Sequence, residues 1–446
     1  MDYIIKNGIV VNEGSMATRD LFVHESRLVG DENMLRKPQV FDAKGCYVLP
    51  GIIDTHVHFR DPGFPDKADF ATESRAALAG GVTSVIDMPN TNPQTTTLEA
   101  LEEKEAIAAK KSAVNYAFML GATNDNIDNL LSIPTDRYAA IKLFLGSSTG
   151  NMLVSSETAL EKLFKESRKL IVAHCEEESI IQANLRNYKL EFAGTEQENA
   201  ALHPKIRNTE ACFVSTYKAV ERARKHGTRL HIAHISTATE LSLLSNKALN
   251  EKNITAEVTP NHLWFDDRDY ATLGNQIKCN PAIKSNDDRL ALWSGLIDGT
   301  IDTIATDHAP HTLESKQQRY FDAPGGIPSI QHSLQMMLEG FFHPSAVERD
   351  DHDEVIHEWL PLIVEKMCHN PATIFGIQQR GFIRPGYYAD LVIVEQGETR
   401  VTHDSLLYKC GWSPLEGQNF HTRIRQVFLN GMPANQSTAM QLKIEK

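Results

Sequence analysis

The segment GIIDTHVHFRDPG, residues 51–63, places His56 and His58 at the end of an apolar run. Alternate residues of a β-strand face the same side, so the two Cα atoms would lie about 6.6 Å apart with both imidazoles on one face. Arg60 continues this alternation just beyond the predicted strand. Neutral imidazoles are good ligands for Zn²⁺, and less selectively for Mn²⁺ or Co²⁺, so the spacing is compatible with a metal site.

Four more polar residues occupy the same position in other apolar segments. They are Lys142 in AIKLFLG, His174 in LIVAHCE, His234 in LHIAHIS and Asp307 in IDTIATDHAP. Each has an ordinary explanation: a hydrogen-bonded core histidine, a lysine whose amine reaches solvent, or an aspartate that caps a helix. All six together, at strand ends that one barrel would bring to the same rim, are better explained by a metal centre.

The lysine is the unusual member of this set. A buried ammonium would be repelled by nearby cations and has no lone pair to donate. Its neutral amine can react with CO₂, and the resulting carbamate is a carboxylate that could bridge two metal ions. We therefore treat carboxylated Lys142 as a hypothesis about the ligand set.

Eight apolar segments, several of them followed by helical patterns, are the elements that would position these residues. They are residues 51–58, 82–90, 115–121, 139–146, 170–176, 230–236, 254–261 and 301–310. Buried Val/Ile/Leu runs that alternate with helices indicate a parallel sheet covered on both faces. Eight units match a (β/α)8 TIM barrel, typically ~250 residues long. A doubly wound sheet is the competing fold, but its glycine-rich phosphate motif is missing from the sequence.

The chain on either side of these segments reads as short strands and turns. We predict a small β-sandwich domain built from residues 1–50 and 376–446, around a barrel domain of residues 51–375. Near the N-terminus, Asn7-Gly8 between two apolar runs predicts a tight hairpin turn.

Composition excludes several classes of function. The 446 residues carry a net charge of −13, which disfavours nucleic-acid and anionic-membrane partners. Six scattered cysteines predict reduced thiols, and neither a signal peptide nor an apolar segment of membrane-spanning length is present. We expect a cytoplasmic enzyme with a small-molecule substrate. A homodimer is the assembly to test first, since barrels of this size often associate.

Two segments, DTHVHFRDPG and ATDHAPH, resemble the signature sequences of the dihydroorotase branch of the amidohydrolase superfamily. IKLFLG, VAHCE and HIAHIS follow in the order of that family's remaining metal-site strands. The resemblance covers about residues 40–400. It implies a barrel with two divalent metal ions, zinc being favoured, and reversible cyclisation of N-carbamoyl-L-aspartate to L-dihydroorotate in pyrimidine biosynthesis.

The resemblance also implies a role for each metal-site residue. His56 and His58 would bind the more buried ion, His174 and His234 the second, and carboxylated Lys142 would bridge them. Asp307 would bind the first ion and act as the catalytic base. Some family members use an aspartate after the fourth strand instead of the lysine, but GSSTGNM, residues 146–152, contains none.

Substrate contacts are implied for seven further residues. A guanidinium at Arg60 can bind the substrate carboxylate through two parallel hydrogen bonds, and Asn90 and His311 would assist. Weaker correspondences place Thr149 on a mobile loop over the site, and Asn280 and the Pro324-Gly325 backbone against the pyrimidine ring. Each could instead be an ordinary turn or loop residue.

Two alternatives stay open at this point. A sibling cyclic amidase, such as a hydantoinase, dihydropyrimidinase or allantoinase, would share the metal ligands but not the Arg60–Asn90 pair. A non-catalytic relative would serve as an assembly subunit, and such proteins commonly lose metal ligands. All the expected ligand types are present in this sequence, which favours an enzyme.

Overall fold

The computed structural model describes residues 1–146, 152–339 and 359–445 of the chain. Its strands fall into two groups, one forming a barrel and the other a separate sheet. In chain order they are β1 (Tyr3–Asn12), β2 (Ser15–His24), β3 (Arg27–Val29), β4 (Gln39–Asp42), β5 (Tyr47–Pro50), β6 (Ile52–Val57), β7 (Val82–Asp87), β8 (Asn115–Phe118), β9 (Leu120–Gly121), β10 (Ile141–Phe144), β11 (Ile171–His174), β12 (Leu230–Ile232), β13 (Ile254–Val258), β14 (Thr303–Ile304), β15 (Leu391–Arg400), β16 (Asn419–Leu429) and β17 (Met432–Pro433).

Strands β6 to β14 pair in parallel and close into an eight-stranded barrel. One sheet runs β6-β7-β8 and the other β14-β13-β12-β11-β10-β9, and β8 and β9 are one strand interrupted at Met119. A parallel bridge between Val57 and His308 joins the first strand to the segment after the last. Each of the eight predicted segments contributes one barrel strand, so the predicted fold class is confirmed.

Helices lie between the barrel strands, and the last three follow β14. They are α1 (Phe70–Ala79), α2 (Leu98–Lys111), α3 (Ile127–Ser132), α4 (Glu157–Glu166), α5 (Glu178–Phe192), α6 (His203–Ile206), α7 (Thr209–His226), α8 (Ala238–Leu241), α9 (Pro260–Trp264), α10 (Tyr270–Leu273), α11 (Asn286–Ile297), α12 (Leu313–Lys316), α13 (Ser333–Glu339) and α14 (Asn370–Ile374). Helix α4 is typical: Ser156 caps its N-terminus, and Leu160, Leu163 and Phe164 are buried on one face. None of the helices in the described ranges is both long enough and apolar enough to cross a membrane.

The remaining strands come from both ends of the chain, as the sequence predicts. They form one sheet in the order β17-β16-β15-β5-β1-β2-β3, with β4 paired to β1. Tyr3, Val48, Leu391 and Phe428 belong to its own apolar cluster. The end of the chain returns to the barrel, where the backbone N–H of Leu442 donates to the carbonyl of Tyr116 in β8 (2.8 Å).

The predicted hairpin at Asn7-Gly8 is wrong. Strand β1 continues through both residues, and its pairing with β2 shifts register between Ile5 and Gly8. Asn7 has a φ of 61°, so the pair makes a bulge within one strand. A Cβ atom on Gly8 would lie 2.5 Å from Val48 Cγ2, so close packing against β5 requires glycine there. The β1–β2 connection is formed instead by Glu13-Gly14, where both φ angles are positive.

Candidate active site

A cavity of about 330 Å³ opens at the carboxyl ends of the barrel strands. Twelve of the thirteen site residues singled out in the sequence line it. They are His56, His58, Arg60, Asn90, Lys142, His174, His234, Asn280, Asp307, His311, Pro324 and Gly325. The exception, Thr149, lies outside the described residues, as does most of the GSSTGNM loop. The barrel therefore brings together residues that are up to 269 positions apart between His56 and Gly325.

His56, His58 and Asp307 form the first group of potential ligands. Each imidazole donates its Nδ1–H to another residue, His56 to Glu257 Oε1 (2.7 Å) and His58 to Asn90 Oδ1 (2.8 Å). A neutral imidazole bonded in this way presents the lone pair of Nε2, which faces Asp307 Oδ1 at 3.2 Å from His56 and 3.0 Å from His58. Three electron-pair donors thus converge on one point, an arrangement that fits a cation.

His174 and His234 form the second group. His174 Nε2 lies 2.8 Å from Glu176 Oε2, to which it donates, so its Nδ1 lone pair faces His234 Nε2 at 2.9 Å. Arg207 bonds the same Glu176 oxygen and fixes that carboxylate. Burial lowers the pKa values of His174 and His234, which keeps both rings neutral and able to bind a metal.

Lys142 lies fully buried beside these ligands. Within the described part of the chain its Nζ atom has no hydrogen-bond partner. A buried amine without a partner is costly, so its position calls for an additional group. Burial lowers the pKa of Lys142 to about 8, which makes some neutral amine available near neutral pH.

The donor set as a whole fits divalent metal ions. One ligand atom each from His56, His234 and Asp307 lies within 4.8 Å of the others. The surrounding imidazoles also act on Asp307. Burial alone would raise the pKa of this carboxyl group, but its close contacts with His56 and His58 hold the pKa well below its usual range. Asp307 is therefore ionised at neutral pH and can serve as a ligand or as a base.

The opposite end of the cavity is basic. Arg60 Nε donates to the carbonyl of Pro310 (3.2 Å), and its Nη2 donates to His311 Nε2 (3.1 Å). The carbonyl oxygen of Asn90 accepts from His58, and its NH₂ group, which has no partner among the described residues, can bind a ligand. The φ angle of Arg60 is 64°, a conformation that costs a non-glycine residue about 1–3 kcal/mol and is typical of functional sites.

The loop that carries Pro324 and Gly325 lines another side of the cavity. Lys316, which is buried, donates from Nζ to the carbonyls of Lys278, Pro324 and Gly326 at 2.9–3.0 Å. Asn280 faces this loop, and its Oδ1 lies 3.2 Å from His203 Nε2. The backbone that lines this side of the cavity is thus held in place by the buried Lys316 amine.

Comparison with known proteins places this geometry in a family. The Amidohydrolase family model matches residues 47–433. The chain belongs to the amidohydrolase family. The dihydroorotase of Halobacterium salinarum is 34% identical over 403 residues, which are 90% of this chain and 89% of that protein. The dihydroorotase of Lactobacillus johnsonii is 31% identical over 438 residues, 97% of this chain and 98% of that protein.

Solved structures agree with this assignment. The L-hydantoinase (dihydropyrimidinase) from Arthrobacter aurescens superposes with a TM-score of 0.88 at 26% identity, covering 100% of this chain and 97% of that one. A dihydropyrimidinase from Brevibacillus agri shares the fold, with a TM-score of 0.85 at 23% identity and coverage of 97% and 95%. This amidohydrolase thus has dihydroorotases among its sequence relatives and hydantoinases among its structural neighbours.

The sequence analysis missed the residues that hold the potential metal ligands in place. Glu257 accepts from His56 Nδ1 and also from the backbone N–H of His234 (3.2 Å), so one carboxylate orients both ligand groups. Glu176 orients His174 by accepting a hydrogen bond from its Nε2. The available signal was an acidic residue inside an otherwise apolar strand, ITAEVTPN, or directly after one, LIVAHCE. Lys67, a further cavity residue, carried no such signal.

A buried ion pair supports the basic end of the site. Lys104 Nζ lies 2.5 Å from Asp87 Oδ2, and both side chains are 0% exposed. Asp87 Oδ1 also accepts from the backbone N–H of Phe59 (2.7 Å), the residue before Arg60.

We expect Lys104→Met to destabilise the fold by about 3–5 kcal/mol, because it leaves a buried carboxylate unpaired. Urea denaturation measures this loss. The double variant with Asp87→Asn should recover part of it, and equal stability of Lys104→Met and the parent protein would contradict the role of the pair.

Proposed function

We propose that this amidohydrolase is a dihydroorotase, which interconverts N-carbamoyl-L-aspartate and L-dihydroorotate with loss or gain of water. The observation that carries the proposal is the presence, in one cavity, of the potential metal ligands and of the Arg60 guanidinium with its neighbours His311 and Asn90. Dihydroorotate is a cyclic amide with a carboxylate on its ring. The cavity offers a partner for each of these features. The names and coverage of the two dihydroorotase relatives support the same choice.

The metal complement belongs to this proposal. Two divalent ions, zinc for preference, would be held by His56, His58, His174, His234 and Asp307, with carboxylated Lys142 between them. When bound, such ions would polarise the amide carbonyl and make water a stronger nucleophile. Carboxylation of Lys142 would form an N–C bond to CO₂ with loss of one proton from the amine, and would convert a buried amine that has no partner among the described residues into a carboxylate able to bind the ions.

The protein's own contribution is to orient the substrate and transfer a proton. In hydrolysis a water oxygen bonds to the ring carbonyl carbon, the C–N bond breaks, and the leaving nitrogen takes up a proton. Asp307, ionised and at the cavity floor, would accept the proton from water and deliver it to nitrogen. Arg60 and Asn90 would hold the carboxylate so that the reacting carbonyl lies next to the water that Asp307 deprotonates. Cyclisation follows the same path in reverse.

A hydantoinase-type cyclic amidase is the second candidate, favoured by the TM-score of 0.88 to the Arthrobacter aurescens enzyme. A panel of ring substrates separates the two. The zinc-loaded protein is expected to hydrolyse dihydroorotate with a kcat/KM at least about 100-fold above that for dihydrouracil, hydantoin or allantoin, because an unpaired buried cation penalises rings without a carboxylate. Preference for a neutral ring would overturn the assignment.

Metal analysis tests the scaffold alternative, which would be supported by protein that neither contains nor accepts a divalent ion. A cytoplasmic location and a homodimer stay predictions from the sequence.

Replacing Arg60 tests the carboxylate site directly. Arg60→Met keeps the length and the apolar stem but removes the guanidinium. We expect the KM for dihydroorotate to rise by about 10- to 100-fold with a much smaller change in kcat, since hydrogen bonds to a charged group contribute about 1.5–3 kcal/mol. Steady-state kinetics in both directions measures the effect. An unchanged KM would show that the carboxylate binds elsewhere.

A further inference from the structure

Lys67 lines the same cavity but has no role in the site as described so far. It lies in the loop between β6 and α1, is half-buried, and shares the cavity wall with Arg60 and His311. Its Nζ atom lies 5.0 Å from the centroid of the Phe64 ring, on the same loop. The cavity therefore contains a second full positive charge at its basic end.

The loop that carries Lys67 is tied down at several points. The backbone N–H of Phe64 donates to the carbonyl of Arg60 (3.1 Å), and that of Lys67 donates to the carbonyl of Phe64 (3.0 Å). A Cβ atom on Gly63, whose φ is 102°, would lie 2.2 Å from the carbonyl oxygen of Asn92. The loop is therefore packed tightly against its neighbour, and the Lys67 backbone has a fixed position relative to Arg60.

Four acidic groups in this region are already paired with other residues, and Asp66, next to Lys67, is exposed to solvent. The pairs are Asp61 with Lys111 (2.8 Å), Asp69 with Lys409 (2.8 Å), Glu73 with His308 (2.8 Å) and Asp87 with Lys104 (2.5 Å). Across the part of the chain that the structure describes, no carboxylate oxygen lies within 4 Å of the Lys67 amine or the Arg60 guanidinium. Lys67 and Arg60 thus share one cavity, and neither has an ion-pair partner within 4 Å among the described residues.

Burial and the neighbouring positive charges both disfavour protonation of Lys67 and His311. Partial burial and the charge of Arg60 lower the pKa of Lys67 to about 8. Burial, followed by the charges of Arg60 and Lys67, holds the pKa of His311 far below its ordinary value. An anion bound at this end of the cavity would relieve the repulsion, whereas a neutral ring would leave it in place.

We propose that Lys67 is a specificity-determining residue, which together with Arg60 selects ring substrates that carry a carboxylate over the same rings without one. This inference rests on the proposed dihydroorotase function and extends it by naming a residue that sets the substrate class. Lys67 acts on the carboxylate common to dihydroorotate and N-carbamoyl-aspartate. It takes no part in proton transfer, so its removal should affect binding and leave the chemical step intact.

Binding of two non-hydrolysable probes to the zinc-loaded protein tests the proposal. Orotate carries the carboxylate and uracil is the same ring without it. Lys67→Met removes the charge and keeps the stem that packs on Phe64, Lys67→Arg keeps the charge, and Lys67→Gln is a second neutral variant. Lys409→Met is the matched control, since it changes the net charge equally and its partner, Asp69, lies outside the cavity lining.

By calorimetry, Lys67→Met and Lys67→Gln are expected to weaken orotate binding by about 5- to 30-fold, the range for a charge-assisted contact at a half-buried site. Uracil binding should change less than about 2-fold, and the salt dependence of orotate binding should decrease. Lys67→Arg and Lys409→Met should bind orotate like the parent. In turnover, KM for dihydroorotate should rise and kcat should stay within about 2-fold.

Each contrary result has a distinct meaning. Unchanged orotate affinity in both neutral variants, with normal dihydroorotate turnover by the parent, would overturn the role of Lys67 and leave the proposed function standing. Equal losses for orotate and uracil would show that Lys67 only supports the loop, which also overturns the role. A parent protein that binds uracil as well as orotate and prefers neutral rings in turnover would overturn both proposals.

Discussion

Replacing Asp307 by asparagine is expected to reduce kcat for dihydroorotate by about 10²- to 10⁴-fold, the range contributed by a positioned general base. The substitution keeps the shape of the side chain and an oxygen that can face His56 and His58. It removes the negative charge and with it the capacity to accept a proton. Steady-state kinetics of the zinc-loaded variant, in both the hydrolytic and the cyclising direction, measures the loss.

Two further measurements separate the loss of the base from other effects. Asp307 is also a proposed ligand, so the metal content of the variant must be determined, and kinetics compared at saturating zinc. Asp66→Asn, an exposed acid on the loop beside the site, is the matched control and should leave turnover unchanged. If Asp307→Asn turns over near the parental rate with full metal content, another residue must move the proton.

The residues proposed to bind metal could be found in the sequence because of the barrel geometry. His56, His174 and His234 are far apart in the chain, but each lies at or within two residues of the end of an apolar strand, and the parallel barrel brings all such ends to one rim. A fold class predicted from alternating strands and helices was therefore enough to group them. The two-residue spacing of His56 and His58 added a local signal that does not depend on the fold.

The sequence did not reveal which residues that are distant in the chain contact one another. Glu257 orients two ligands from a strand whose pattern is otherwise apolar, and nothing in that pattern shows which residue it meets. Lys67 follows DPGFPD in a loop, where a lysine is usually solvated, and its place in the cavity depends on how the loop folds against Asn92. At Asn7-Gly8 a strong local turn signal was overridden by strand pairing on both sides of β1.

Replacing Lys142 by methionine is expected to have opposite effects on stability and activity. In the metal-free protein the lysine amine is buried with no hydrogen-bond partner among the described residues, and methionine fills a similar volume without a polar group. Stability of the chelator-treated variant should therefore increase, by about 1–3 kcal/mol for the removal of one unsatisfied buried group. A shift of the urea midpoint to higher concentration measures this gain.

In the zinc-loaded protein the same substitution should reduce turnover by about 100-fold or more, and lower the number of zinc ions bound per chain, because a ligand and its support are lost. Intact-protein mass spectrometry under native conditions should show a parent heavier by one CO₂ and a variant without the addition. Lys169→Met, a lysine at the other end of the barrel, is the control and should keep both metal and activity. A Lys142→Met protein with the parental metal content and turnover would exclude a carboxylated lysine from the site. A gain in stability together with the loss of turnover would identify Lys142 as a position held for function at the expense of the fold.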